Sequence, residues 1–176
     1  MGSSELPRKL FPPPCENVAM AFQVPRMDPL ESRAWLAIIG TAELLPAALD
    51  AQLQADADMT HFEFMVLTAL RQSGPTRMTQ LAAASNATLP RLSKVVTRLQ
   101  ARGLVERSSP AGDGRAVSVS LTGDGRRALV RATPGHIARV RELVIDRLTR
   151  EQLEALASAL EPVVEALDPH HRFGPS

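Results

Sequence analysis

At 176 residues the chain is long enough for one ordinary domain or one subunit of an oligomer, and 44% hydrophobic residues suffice for a real core. No apolar run approaches the roughly 20 residues of a bilayer span, Pro7, Pro12, Pro13 and Pro14 interrupt any signal-peptide core, and the lone Cys15 excludes an internal disulfide and a cysteine-based zinc cage. The formal net charge of +1 hides a division: residues 71–131 hold eleven Arg/Lys against three Asp/Glu, whereas residues 28–70 hold one basic residue against seven acidic ones.

A basic middle between more acidic flanks is the pattern of a nucleic-acid reader on a neutral or acidic scaffold, because phosphate neutralisation supplies most of the binding free energy. A soluble, cytoplasmic protein is expected. The four histidines show no ligand spacing, so neither metal nor cofactor is expected.

Residues 1–27, with five prolines and no apolar period, read as an extended or disordered arm. From Pro29 to about Ala57, Trp35, Ile38, Ile39, Leu44, Leu45, Leu49 and Leu53 recur as they do in one long helix, with Pro46 bending it. Thr60-His61-Phe62-Glu63 has capping-box form and opens a second helix to about Gln72. Ser73-Gly74-Pro75 ends that helix, and a short third helix follows at about Thr79 to Ala84.

Ser85-Asn86-Ala87-Thr88 reads as a tight connection, Asn86 being its residue most tolerant of a left-handed conformation, with Thr88 capping a fourth helix, Leu89 to about Arg102. There Leu92, Val95, Val96 and Leu99 form one stripe, and Arg91, Lys94, Arg98 and Arg102 project elsewhere. Gly103 terminates it, and Leu104 to Arg107 enters an extended segment. A turn-rich loop over residues 109–114 precedes Val117, Val119 and Leu121, which alternate as in a half-buried strand, so two antiparallel strands make a β-wing.

Thr122 caps a fifth helix expected to end near Ala132, and Thr133-Pro134 starts another through Arg147. A capping box at Thr149 to Gln152 opens the last helix, which runs to about Leu167 with an apolar stripe in need of a partner. Residues 168–176 read as a loose tail.

Short helix, tight turn, helix with a basic face and then β-hairpin is the order of a winged helix-turn-helix, whose second helix enters the major groove. The fold class is therefore mainly α with a small β-wing. A DNA-binding lobe at 59–122 is joined to dimerisation helices at 28–58 and 123–167. Thr88, Pro90, Arg91, Ser93 and Lys94 are the candidates for bases and phosphates, with Arg98 nearer the backbone or in an internal pair. In the loop, Asp113 can orient Arg115 toward a minor groove, where the negative potential favours arginine.

Taken together, Leu81-Ala82, Leu92-Ser93-Lys94-Val95-Val96-Thr97-Arg98-Leu99 running into Arg102-Gly103-Leu104-Val105-Glu106-Arg107, and Asp113-Gly114-Arg115 followed by Val119-Ser120-Leu121-Thr122 and Gly125 resemble the MarR family of regulators. The resemblance spans roughly residues 30–167. It implies a homodimer with interlocked terminal helices, binding double-stranded DNA, and a ligand-responsive repressor whose operator binding a small effector, aromatic or phenolic in type, or an oxidant weakens. Some members sense peroxide with an N-terminal cysteine aided by tyrosines; Cys15 here lies in Pro-Pro-Cys and the chain has no Tyr, so that chemistry is not expected.

Apolar stripes at both chain ends independently favour an intersubunit bundle, whose two-fold axis implies an inverted-repeat site. Trp35, Phe62, Phe64 and Met65 are candidates for a ligand pocket, although aromatic residues at helical spacing more often form core. Two other readings compete with DNA binding. A helical enzyme finds no phosphate-cradling loop, nucleophile elbow or metal-ligand pattern in its favour. A winged-helix protein-interaction module sits poorly with the cationic fourth helix.

Overall fold

The computed structural model describes residues 26–108 and 117–168. Cys15 and most of the N-terminal arm, the loop residues Asp113 and Arg115, and nearly all of the expected C-terminal tail lie outside the described residues. The chain divides into two compact units within its first helix, residues 1–39 and residues 40–176.

The elements run α1 (Pro29–Ala57), α2 (His61–Ser73), β1 (Thr76–Arg77), α3 (Met78–Ala84), α4 (Leu89–Ala101), β2 (Val105–Ser108), β3 (Ser118–Leu121) and α5 (Gly123–Leu143). A 3₁₀ turn at Ile145–Arg147 then leads to α6 (Arg150–Leu167). Helix starts follow local chemistry. Thr60 Oγ1 accepts from the Glu63 N–H at 3.0 Å while Glu63 Oε2 accepts from the Thr60 N–H at 2.9 Å, and Thr149 and Gln152 repeat the reciprocal cap. Asn86 adopts φ 47° and Gly103 φ 70°, the left-handed positions at which α3 and α4 give way to the next segment.

The sheet has the order β1-β3-β2, both pairings antiparallel, with Val105 opposite Leu121 and Arg107 opposite Val119. β1 was not foreseen. Its two residues are too few to show a period, and they become a strand only because Thr76 and Arg77 meet Val119 and Ser118. The core of the second unit gathers Leu53, Met59, Phe64, Val66, Leu67 and Leu70 with Leu81, Leu92, Val96, Leu99, Val105, Val119 and Leu129. Each large aliphatic side chain so buried stabilises the fold by roughly 1.5–3 kcal/mol. Gly125 lets α5 start against the sheet, since a Cβ there would stand 2.0 Å from the Leu104 carbonyl oxygen.

Two sequence expectations are corrected. The expected break near Thr133-Pro134 does not occur: α5 passes through Pro134. The lost N–H and ring clash of an interior proline cost about 3 kcal/mol, but Leu129 and Ala132, buried within the five residues before Pro134, anchor the helix where it enters the expected boundary. The Thr133 hydroxyl meanwhile donates to the Leu129 carbonyl at 2.7 Å. Second, α1 is long and apolar enough to cross a membrane by length and composition, which the dispersed charges of its sequence had concealed. Leu49 and Leu53, toward its C-terminal end, are nonetheless buried in protein.

Burial differs sharply among the helices. Four residues of α4 are buried, yet none of α6 is, and Leu156, Val163, Val164 and Leu167 are exposed. Trp35, Leu36, Ile38 and Leu44 of α1 are exposed as well.

Candidate nucleic-acid interface

α4 begins where Thr88, in extended conformation, accepts from the Arg91 N–H at 3.4 Å. Pro90 is tolerated in the first turn because an N–H there has no intrahelical acceptor. Leu92, Val95, Val96 and Leu99 seal one face into the core. At helical spacing the opposite face must carry Pro90, Lys94, Thr97 and Ala101, and all four are exposed.

The two flanks of that outward face are not free. On one, Arg91, Arg98 and Arg102 follow each other at intervals of seven and four residues and meet the start of α2. The Arg91 guanidinium lies 4.3 Å from the centre of the Phe62 ring, a cation–π contact. Arg98 Nε donates to Glu63 Oε1 at 3.2 Å, and Arg102 stands 3.6 Å from both Glu63 Oε2 and Asp58 Oδ2. On the other flank Arg107, from β2, donates to the Ser93 carbonyl at 3.3 Å and to Thr97 Oγ1 at 3.1 Å, tying α4 to the sheet.

Of the residues expected at the interface, Thr88, Pro90, Arg91 and Lys94 are therefore together on an exposed surface, and Lys94 makes no ion pair among the described residues. Ser93 is half-buried, its carbonyl taken by Arg107 and by the Thr97 hydroxyl. Arg98 takes the second of its two expected roles, the internal pair. Sequence reasoning missed Thr97 and Arg107. Arg107 is separated from α4 by a turn, and only the antiparallel sheet brings it underneath.

The aromatic residues considered for a pocket do not share one surface of α2. Phe62 supports Arg91, Phe64 is buried with its ring 4.4 Å from that of His136, and Met65 is exposed. Trp35 is 49% exposed. Next to Phe64, the His61 and His136 rings stack at 5.7 Å, and the backbone N–H of His61 donates to Asp50 Oδ1 at 2.8 Å. Burial holds both imidazoles below the ordinary histidine value; Asp50 partly opposes this at His61, and His61 deepens it at His136.

A helix with an exposed polar face, seated by a tight turn on a shorter helix and followed by an antiparallel strand pair, defines a winged helix-turn-helix transcription regulator. The MarR family model matches residues 59–117. The chain is 31% identical over 119 residues to the HTH-type transcriptional repressor NicR of Pseudomonas putida, an overlap covering 68% of this chain and 75% of that one. It resembles the crystal structure of a MarR family transcriptional regulator from Streptomyces coelicolor in complex with DNA, with 39% identity, a TM-score of 0.75, and 82% and 96% of the two chains covered. A second MarR family regulator from Streptomyces coelicolor, AbsC, has 31% identity and a TM-score of 0.74, with 82% and 99% covered. This chain belongs to the MarR family of DNA-binding transcriptional regulators.

Proposed function

We propose that the protein is a ligand-responsive repressor that binds an inverted-repeat site in double-stranded DNA as a homodimer, one α4 entering the major groove from each subunit. The observation that carries this reading is the outward face of α4. Its apolar underside is consumed by the core, while Pro90, Lys94 and Thr97 face solvent beside Thr88 and Arg91. Lys94 and Arg91 supply the positive charge, Thr88, Ser93 and Thr97 the smaller polar contacts, and Arg107 holds the helix at its angle. Asp113 and Arg115 complete the interface from the wing loop by reaching a minor groove.

Residues 59–122 form the reading lobe, and residues 28–58 and 123–167 supply the dimerisation helices. The exposed apolar residues of α6 and α1 support that division. We read the apolar α1 as dimer surface and not as a span, because Leu49 and Leu53 sit in the core of a protein whose relatives are DNA-binding regulators. The place of action is the cytoplasm. A small aromatic or phenolic effector that weakens DNA binding completes the reading, and Trp35 is the fluorescence reporter for it.

Fragments of genomic DNA selected by the purified protein test the proposal. The expected result is recovery of an inverted repeat whose half-sites lie about one helical turn apart, bound by two chains with an affinity that falls steeply with salt. Recovery of no duplex in dilute buffer refutes it.

A further inference from the structure

Resting on the reading that α4 faces DNA, we propose that Glu63 is a specificity-determining residue: it withholds Arg98 and Arg102 from the DNA backbone. Eleven basic residues crowd residues 71–131, and an interface that presented all of them would bind any duplex strongly. Specificity is a difference of affinities, so it gains when sequence-blind phosphate contacts are removed and base-edge contacts are kept.

Glu63 is placed to do this. It is 4% exposed although it carries a carboxylate, and its two oxygens are divided between two tasks. Oε2 closes the capping box with the Thr60 N–H at 2.9 Å, which pins the carboxylate to the first turn of α2. Oε1 accepts from Arg98 Nε at 3.2 Å, and Arg102 Nη1 approaches Oε2 to 3.6 Å. The backbone cap makes the anion a fixed point, so the arginines come to it. Arg98 keeps 58% of its side-chain exposure while its Nε–H is turned to the buried carboxylate. Asp58, 3.6 Å from Arg102, adds to the same pull.

The outward face of α4 is left with Lys94, whose ammonium has no carboxylate partner among the described residues. Of the four cations on α4 and its C-cap, Arg98 and Arg102 are thus paired within the protein, and Arg91 is steadied on Phe62. Glutamine at position 63 preserves the cap, because an amide oxygen serves the Thr60 N–H as a carboxylate does. It also turns an NH₂ donor toward Arg98 and cancels the charge that holds both arginines.

The test measures the affinity of the full-length protein for a random-sequence duplex and for a selected genomic fragment across a salt series. Glu63→Gln is expected to steepen the dependence of log K on log salt by about one to two units per subunit on the random duplex, each recruited phosphate contributing about 0.9. Affinity for random DNA should rise more than for the selected fragment, narrowing their ratio about tenfold. A slope equal to or shallower than the wild type's overturns the proposal. Should Glu63→Gln melt below the assay temperature, Arg98→Gln asks the same question with the carboxylate intact. There the slope should fall by less than about half a unit, and a fall of a full unit or more overturns the proposal. A wild-type protein that binds neither duplex refutes the DNA reading itself, a result separate from either of these.

Discussion

α4 and α6 are both amphipathic, yet one has its apolar stripe fully covered within the chain and the other has none of it buried. Leu92, Val95, Val96 and Leu99 of α4 disappear among α2, α3 and the sheet, whereas α6 leaves Leu156, Val163, Val164 and Leu167 exposed. The pattern is the same and the surroundings are not. An apolar stripe states that a helix needs a partner, and the partner's origin depends on what the rest of the chain folds around it. For α4 the partner is intramolecular, so its orientation is decided in the monomer. For α6 the proposed partner is a second copy, and on that proposal assembly and DNA reading draw on different parts of one chain.

The largest effect expected from breaking this contrast is on α6. Leu156→Asp combined with Val163→Asp should abolish the dimer and lower affinity for an inverted repeat by about two orders of magnitude or more. The lobe should keep its helical circular dichroism; sedimentation and mobility shift measured side by side decide, and a persisting dimer contradicts the role given to α6. Next in size, Leu99→Ala empties a site in the covered stripe of α4 and should destabilise the fold by about 2–5 kcal/mol at any protein concentration. Denaturant unfolding reads this directly. A loss that vanishes on raising the concentration would mean that α4, too, depends on assembly.

Lys94→Ala addresses the outward face and should leave stability within about 0.5 kcal/mol. Specific DNA affinity should fall by about 1–2 kcal/mol at fixed salt, as a titration of the labelled fragment would show. The smallest effect concerns pH. Because His61 and His136 are held below the ordinary value of 6.5, the unfolded chain takes up protons first as pH falls. The stability contributed by the neutral rings is complete above 6.5 and declines as pH drops toward their depressed folded values. Melting temperature should therefore fall slightly from pH 7 to 5, and His136→Gln should flatten that dependence. Both rings retain solvent access, so the change is modest.

Elements whose signals are local were legible in advance. The caps at Thr60, Thr88, Thr122 and Thr149, the left-handed Asn86 and the alternation of Val117, Val119 and Leu121 each lie within a few residues, and each corresponds to a helix start, turn or strand in the structure. Pro134 misled because its local preference for a helix start competed with the burial of Leu129 and Ala132 just before it. The outward face of α4 was half legible: periodicity separated the apolar stripe from the cations and set Arg98 apart from Arg91 and Lys94, but left open whether Arg98 meets the DNA backbone or an internal partner. Only the packing of α2, which brings Glu63 to Arg98, shows the internal pair.

The amino-acid order alone was enough to determine the helices as far as the start of α5, the last helix, the two wing strands and the resemblance to a regulator family, because periodicity, capping and turn chemistry act over distances of one or two helical turns. Tertiary structure decided which positive charges are spent inside the protein. Glu63 and Arg98 are 35 residues apart, and so are brought to 3.2 Å only when α2 and α4 pack. It likewise decided that the stripe of α4 is satisfied while that of α6 is not, since exposure belongs to the packed assembly of elements and to no segment taken singly.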